Sequence, residues 1–222
     1  MSSTTPGQHE FTVTDSRLLL DSPILAVRQD TVVMPDGEAK REVVEHFGAV
    51  AIVAVDKDNR VAMVTQYRHS VQTRLRELPA GLLDSAGEDD LECAKRELVE
   101  EAGLEARQWS VLCDLVTSPG FCEEAVRVFL ATDLTEVERP EAEGEEVDMT
   151  FEWVDLDQAR ADIFAGKIPN SIAISGIFAA SEVLAGRGQA RDTSAPFEFR
   201  PRSLADRRQE QGIFPDMKKL HR

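Results

Sequence analysis

With 222 residues, 42% of them apolar and 30% charged, the chain can bury one substantial core, which excludes wholesale disorder. Its 25 Lys and Arg face 41 Asp and Glu, and the net charge of −16 repels phosphate backbones and anionic headgroups, arguing against nucleic-acid and membrane partners and for cations. The longest apolar stretch, residues 49–55, is far short of the roughly 18 residues a membrane-crossing helix needs, and no basic-then-apolar leader opens the chain, so the expected compartment is the cytoplasm.

In chain order, residues 11–20, 24–34 and 40–46 are rich in Val, Ile, Leu and Thr, and Pro35-Asp36-Gly37 supplies a turn between the last two, which predicts an N-terminal β arm. Residues 49–55 read as a buried strand, turned at residues 56–59 into a second strand over 61–67. Glu77-Leu78-Pro79-Ala80-Gly81 marks a loop. A helix is predicted over 89–102, strands over 110–116, 125–132 and 150–154, and helices over 156–165 and 170–185. Such a mixture predicts an α/β fold with a mixed sheet covered by helices. Between Leu134 and Asp148 lie seven acids and one base without apolar periodicity, so this stretch is expected to be a loop. From Arg187 onward nine bases meet five acids among frequent Gly, Pro, Ser and Gln, which predicts a flexible or partner-bound basic tail. The expected divisions are residues 1–47, 48–186 and 187–222.

Cys93, Cys113 and Cys122 are an odd number without Cys-x-x-Cys spacing, so neither a disulfide framework nor a zinc ribbon is indicated. His9, His46, His69 and His221 are scattered singly and read as structural.

The chemistry concentrates in residues 81–104. Asp89 and Asp90 suit the positive first turn of the helix, and Gly103 sits where a left-handed C-terminal cap belongs. Leu91, Ala94, Leu98 and Ala102 make one apolar stripe. Glu97, Glu100 and Glu101 crowd an adjoining face at the helix end where anions are disfavoured, each i,i+4 pair costing about 0.2–0.5 kcal/mol. A bound divalent cation explains that choice, and Arg96 is placed to orient one of the carboxylates.

Glu88, Arg96, Glu97, Leu98, Glu100, Glu101, Gly103 and Leu104 resemble the Nudix hydrolase pattern Gly-x5-Glu-x7-Arg-Glu-apolar-x-Glu-Glu-x-Gly-apolar, with Gly81 one residue too early. Glu77-Leu78-Pro79-Ala80-Gly81, Gln66-Tyr67-Arg68 and Ser118-Pro119-Gly120 are similar to the ADP-ribose pyrophosphatase branch. The resemblance covers roughly residues 10–185 and implies a Nudix α/β/α sandwich, an N-terminal antiparallel β arm and an intertwined homodimer. It further implies hydrolysis of ADP-ribose to AMP and ribose 5-phosphate with Mg²⁺ (or Mn²⁺), with other nucleoside diphosphate sugars or dinucleotides, such as GDP-mannose or NADH, as alternative substrates and a non-catalytic ADP-ribose sensor as a third reading.

The roles implied by the resemblance are as follows. Glu97 and Glu101 are principal metal ligands, Glu100 is auxiliary, and the Ala80 carbonyl is a further donor. A general base is expected from the acidic loop, where Glu146 is preferred over Glu145 and Asp148. Arg68 and Arg41 bind the diphosphate, and Leu82, Ser118, Pro119, Gly120 and Glu124 line the nucleoside or ribose pocket. Phe11 and Phe47 are the aromatics nearest the arm, and both are expected to pack in a core.

Overall fold

The branched and apolar residues at the start of the chain form three antiparallel strands, β1 (Val13–Asp21), β2 (Leu25–Met34) and β3 (Gly37–His46), as a sheet of their own in order β1-β2-β3. Met34 pairs with Gly37 across the expected turn. The computed structural model describes residues 7–141 and 147–220.

Next come β4 (Ala49–Ala54), β5 (Arg60–Arg68), a 3₁₀ turn at His69–Val71, β6 (Thr73–Glu77) and β7 (Ala80–Leu82). Then follow α1 (Asp90–Ala102), β8 (Leu104–Val116), β9 (Ala125–Glu136), β10 (Thr150–Asp155), α2 (Leu156–Phe164) and α3 (Ser171–Leu184). A last helix, α4 (Ser203–Glu210), lies in the segment expected to be a tail.

β4 is buried along nearly its whole length because it runs parallel to β9 on one side, antiparallel to β7 on the other, and carries helices over both faces. The mixed sheet has order β7-β4-β9-β8, and β10-β5-β6 forms a third sheet. One face buries Ala51 and Val53 with Ala159 of α2 and Ala173, Ile177 and Ala180 of α3. The opposite face buries Val50, Ile52 and Ala54 with Cys93, Ala94, Leu98 and Ala102 of α1. Those two cores lie between the layers of an α/β/α sandwich, in agreement with the expected fold class. No helix among the described residues is long and apolar enough to cross a membrane. The three cysteines are unpaired.

Two expectations are corrected. Residues 187–220 are seated on the rest of the chain, where a flexible or partner-bound tail was expected. Leu204 of α4 is fully buried with Ala26, Phe47 and Met217, and Arg208, also fully buried, pairs with Asp21 at 2.6 Å and donates to the Ser22 carbonyl. Arg207 binds Glu45 of β3, and Arg127 of β9 joins Asp114 and Asp90 while donating to the Ala195 and Pro196 carbonyls. Two of the tail's arginines, Arg207 and Arg208, are thus matched with acids of the arm, while Arg191 and Lys218 pair with Asp114 and Asp84 of the body. The second correction concerns the aromatics. Phe47 is in the core as expected, whereas Phe11, just before the edge strand β1, is 61% exposed and touches the ring of His9.

Candidate active site

Helix α1 presents the acidic residues, and its ends are fixed by the residues that the sequence marks. The Asp89 carboxylate accepts the Glu92 N–H at 2.9 Å, and Gly103 closes the helix at φ +65°. A side chain at Gly103 would also meet Arg139 and the Val137 carbonyl, so glycine is required there on two counts. Arg139 itself donates to the Glu100 carbonyl at the helix end.

Arg96 is the hub of the box. Its guanidinium donates to both Glu88 oxygens at 3.0 and 3.1 Å, to Glu97 Oε1 at 2.7 Å and to Glu100 Oε2 at 2.9 Å. Glu88 therefore supports Arg96 although the loop before it is one residue longer than the pattern. Glu101, 5% exposed, accepts the Ala80 N–H at 2.9 Å and so ties α1 to β7.

Glu97 lies directly over Gly81, where an added Cβ would fall 2.0 Å from the Glu97 carboxyl carbon. Burial pushes its pKa up to about 7; Arg96 opposes the rise, while Glu100 and Asp84 add to it. A buried carboxyl held among like charges is a seat where a cation is favoured. The structure gathers Ala80, Leu82, Glu97, Glu100, Glu101 and Arg68 around one open cleft of about 470 Å³, so these expected site residues share a single surface.

As oriented, however, no three His, Cys, Asp or Glu side chains among the described residues stand close enough to hold an ion. Glu97 and Glu100 are turned onto Arg96, and Glu101 onto the Ala80 amide. The expected ligands are brought together but not converged. Their chemistry fits a hard divalent cation, since all are oxygen donors, and Gly81 leaves the space in which the Glu97 carboxylate sits.

Arg68 is oriented by Glu77, a 3% exposed carboxylate that accepts from it at 2.7 Å and also receives Gln66 and Asn170. Asn170 in turn caps α3, so the arginine at the cleft is braced through a helix start.

Arg41, Pro119 and Gly120, expected to bind substrate, line a different cleft from the carboxylates, with Phe121, Glu123 and Phe199. The two clefts share no lining residue because Arg41 belongs to the arm's sheet, where its side chain donates to the Lys40 carbonyl. Ser118 shapes the turn below this second cleft, its carbonyl accepting the Phe121 and Cys122 amides. Glu124 lines neither cleft; it accepts the Thr117 hydroxyl at 2.6 Å and stands 3.7 Å from His46 Nδ1.

Glu145 and Glu146, the expected bases, lie outside the described residues. Asp148 is described and is paired with Arg74, and it does not line the cleft, whereas its neighbour Met149 does. Residues that sequence reasoning passed over include Glu77, Asp84, Asp216 and Lys218. Glu77 lay within a quoted motif. Asp216 and Lys218 reach the cleft from the far end of the chain, and no local spacing announces them.

Residues 45–172 match the family profile described as the NUDIX domain, and residues 11–44 match that of the nucleoside diphosphate sugar hydrolase N-terminal domain. The chain is 51% identical over 205 residues to an ADP-ribose pyrophosphatase of Mycobacterium tuberculosis, covering 92% of this chain and 99% of that protein. It is 39% identical to a methanol dehydrogenase activator of Bacillus methanolicus over 63% of this chain and 72% of that one. A crystal structure described as an ADP compounds hydrolase superposes with a TM-score of 0.69 at 21% identity, over 83% of this chain and 99% of that chain, a likeness of fold. With the box, its arginine hub and the preceding arm all in place, the chain belongs to the Nudix family and carries the N-terminal domain of nucleoside diphosphate sugar hydrolases.

Proposed function

We propose that this chain hydrolyses the diphosphate of ADP-ribose to AMP and ribose 5-phosphate with the help of Mg²⁺ or Mn²⁺. The observation that carries this reading is the 51% identity with an ADP-ribose pyrophosphatase across 92% of this chain and 99% of that one. The cleft supports it with a buried carboxylate pushed up to about 7, two further glutamates and two arginines on one surface.

In this reading Glu97 and Glu101, aided by Glu100 and the Ala80 carbonyl, hold the cation. When bound, it neutralises charge on the diphosphate oxygens and acidifies or places the attacking water. Arg96 holds Glu97 and Glu100 until they are required as ligands. Arg68, kept in position by Glu77, takes phosphate oxygens as a planar fork suits them. Glu146, with Glu145 beside it, is assigned the proton of the water; the approach of Met149 to the cleft supports a contribution from this loop.

Arg41, Ser118, Pro119, Gly120 and Glu124 enter through a homodimer, in which the arm of one copy meets the cleft of the other. The uncovered apolar residues of β1 support such pairing. Unpaired cysteines suit a cytoplasmic setting.

A substrate panel tests the proposal: ADP-ribose, GDP-mannose and NADH, each with Mg²⁺, with Mn²⁺ and with chelator, followed by released phosphate monoesters. ADP-ribose is expected to turn over fastest, and only with metal. Faster hydrolysis of GDP-mannose would reassign the substrate. Because one relative is named an activator of another enzyme, binding of ADP-ribose without any product would favour a regulatory role instead.

A further inference from the structure

The C-terminal segment enters the cleft already described. Residues 215–217 run antiparallel to the loop that leads into the box: the Ala86 N–H donates to the Pro215 carbonyl at 2.8 Å, Ser85 bridges Asp216, and the Met217 N–H donates to the Asp84 carbonyl at 2.9 Å. Ile213 and Met217 are 6% and 2% exposed, so the segment is anchored on both sides of the bridge.

That anchoring delivers Lys218 to the cleft wall, where its Nζ lies 2.6 Å from the Asp84 carboxylate. Asp84 is buried, while the lysine side chain is 43% exposed. An ammonium has three donors, and Asp84 takes one. The arginines of the same cleft are engaged by several carboxylate oxygens: Arg96 by Glu88, Glu97 and Glu100, and Arg68 by both oxygens of Glu77. Lys219, the next residue, pairs with Asp216 and has a side chain 78% exposed; it does not line the cleft, so of the two adjacent lysines Lys218 is the one at the cleft, beside Asp216.

We propose that Lys218, held by Asp84, is a substrate-binding residue that contacts the phosphate oxygens of the nucleoside diphosphate sugar, making the C-terminal segment a wall of the active cleft. The assignment rests on the diphosphatase reading above and adds to it a cation from outside the box.

The test uses the full chain with Lys218→Gln, Lys218→Arg and, as control, Lys219→Gln. Affinity for the non-hydrolysable methylene analogue of ADP-ribose is measured by calorimetry with Mg²⁺ present, alongside steady-state kinetics on ADP-ribose and Mn²⁺ uptake without nucleotide. Lys218→Gln is expected to weaken analogue binding and raise KM by about tenfold or more, as loss of a charge-assisted hydrogen bond does, with kcat and Mn²⁺ uptake little changed. Lys218→Arg should recover most of the loss and Lys219→Gln should match the wild type. Unchanged analogue affinity in Lys218→Gln, or a loss confined to kcat or to Mn²⁺ uptake, overturns the assignment while leaving the diphosphatase reading intact. Failure of the wild type itself to bind the analogue removes both.

Discussion

Glu97 and Gly81 decide together where the central carboxylate of the box stands. The added Cβ of an alanine at position 81 would collide with the far end of the Glu97 side chain, not with backbone, so the fold can adjust by rotating that carboxylate away. Gly81→Ala should therefore cost stability little, within about 1 kcal/mol, while lowering Mn²⁺ affinity by roughly 10- to 100-fold, as disturbing a ligand's support does. Thermal unfolding and metal titration on the same sample check both halves. Wild-type affinity in the variant would mean that the carboxylate is not needed where it lies. At this scale the sequence was legible wherever the residues share one helix: the spacing of Arg96, Glu97, Glu100 and Glu101 is enough to put them on one side of α1. Glu88 kept its place because Arg96 is long enough to reach it across the extra loop residue. The pairing of Asp84 with Lys218 was not legible, since it joins residues that only the folded chain makes neighbours.

Among elements, the helices came through nearly unaltered because their ends carry their own signals, as Asp89 and Gly103 do for α1. β6 and β7 did not. Pro79 and Gly81 suggested a loop, yet Ala80 to Leu82 pairs with β4, and three residues of strand leave no readable period. The reading of the C-terminal segment erred for a different reason. Composition counts charges but not partners, and here Arg207 and Arg208 each meet an acid of the arm while Leu204 fills the space between α4 and Phe47. Leu204→Ala should accordingly cost about 2–5 kcal/mol and lower the melting temperature, as loss of a fully buried leucine does. A loose segment would show no change, so an unaltered melt in calorimetry would contradict the docking of α4.

For the molecule as a whole, the exposed apolar residues of β1 are the feature that one chain leaves unexplained. Val13, Leu18, Leu19 and Leu20 on this edge strand, with Phe11 just before it, are each 43% exposed or more, a run that a monomer rarely leaves in water. The proposed homodimer covers it, and sedimentation should find a particle of twice the 24.6 kDa chain mass. Leu18→Asp combined with Leu20→Asp should shift it to the monomer; a wild type already monomeric would remove the explanation offered for Arg41 and the second cleft. Neither cleft's place was legible from motifs alone, because whether Arg41 and Glu97 face the same ligand depends on how many copies assemble.

The bond from Arg208 to the Ser22 carbonyl spans 186 positions of sequence. The contact therefore joins β1's end to α4 across nearly the whole chain, and the entropy of so long a closure rises only slowly with its length. The arm is thus fastened to the far end of the chain, so the order of β1 and β3 is linked to that of α4.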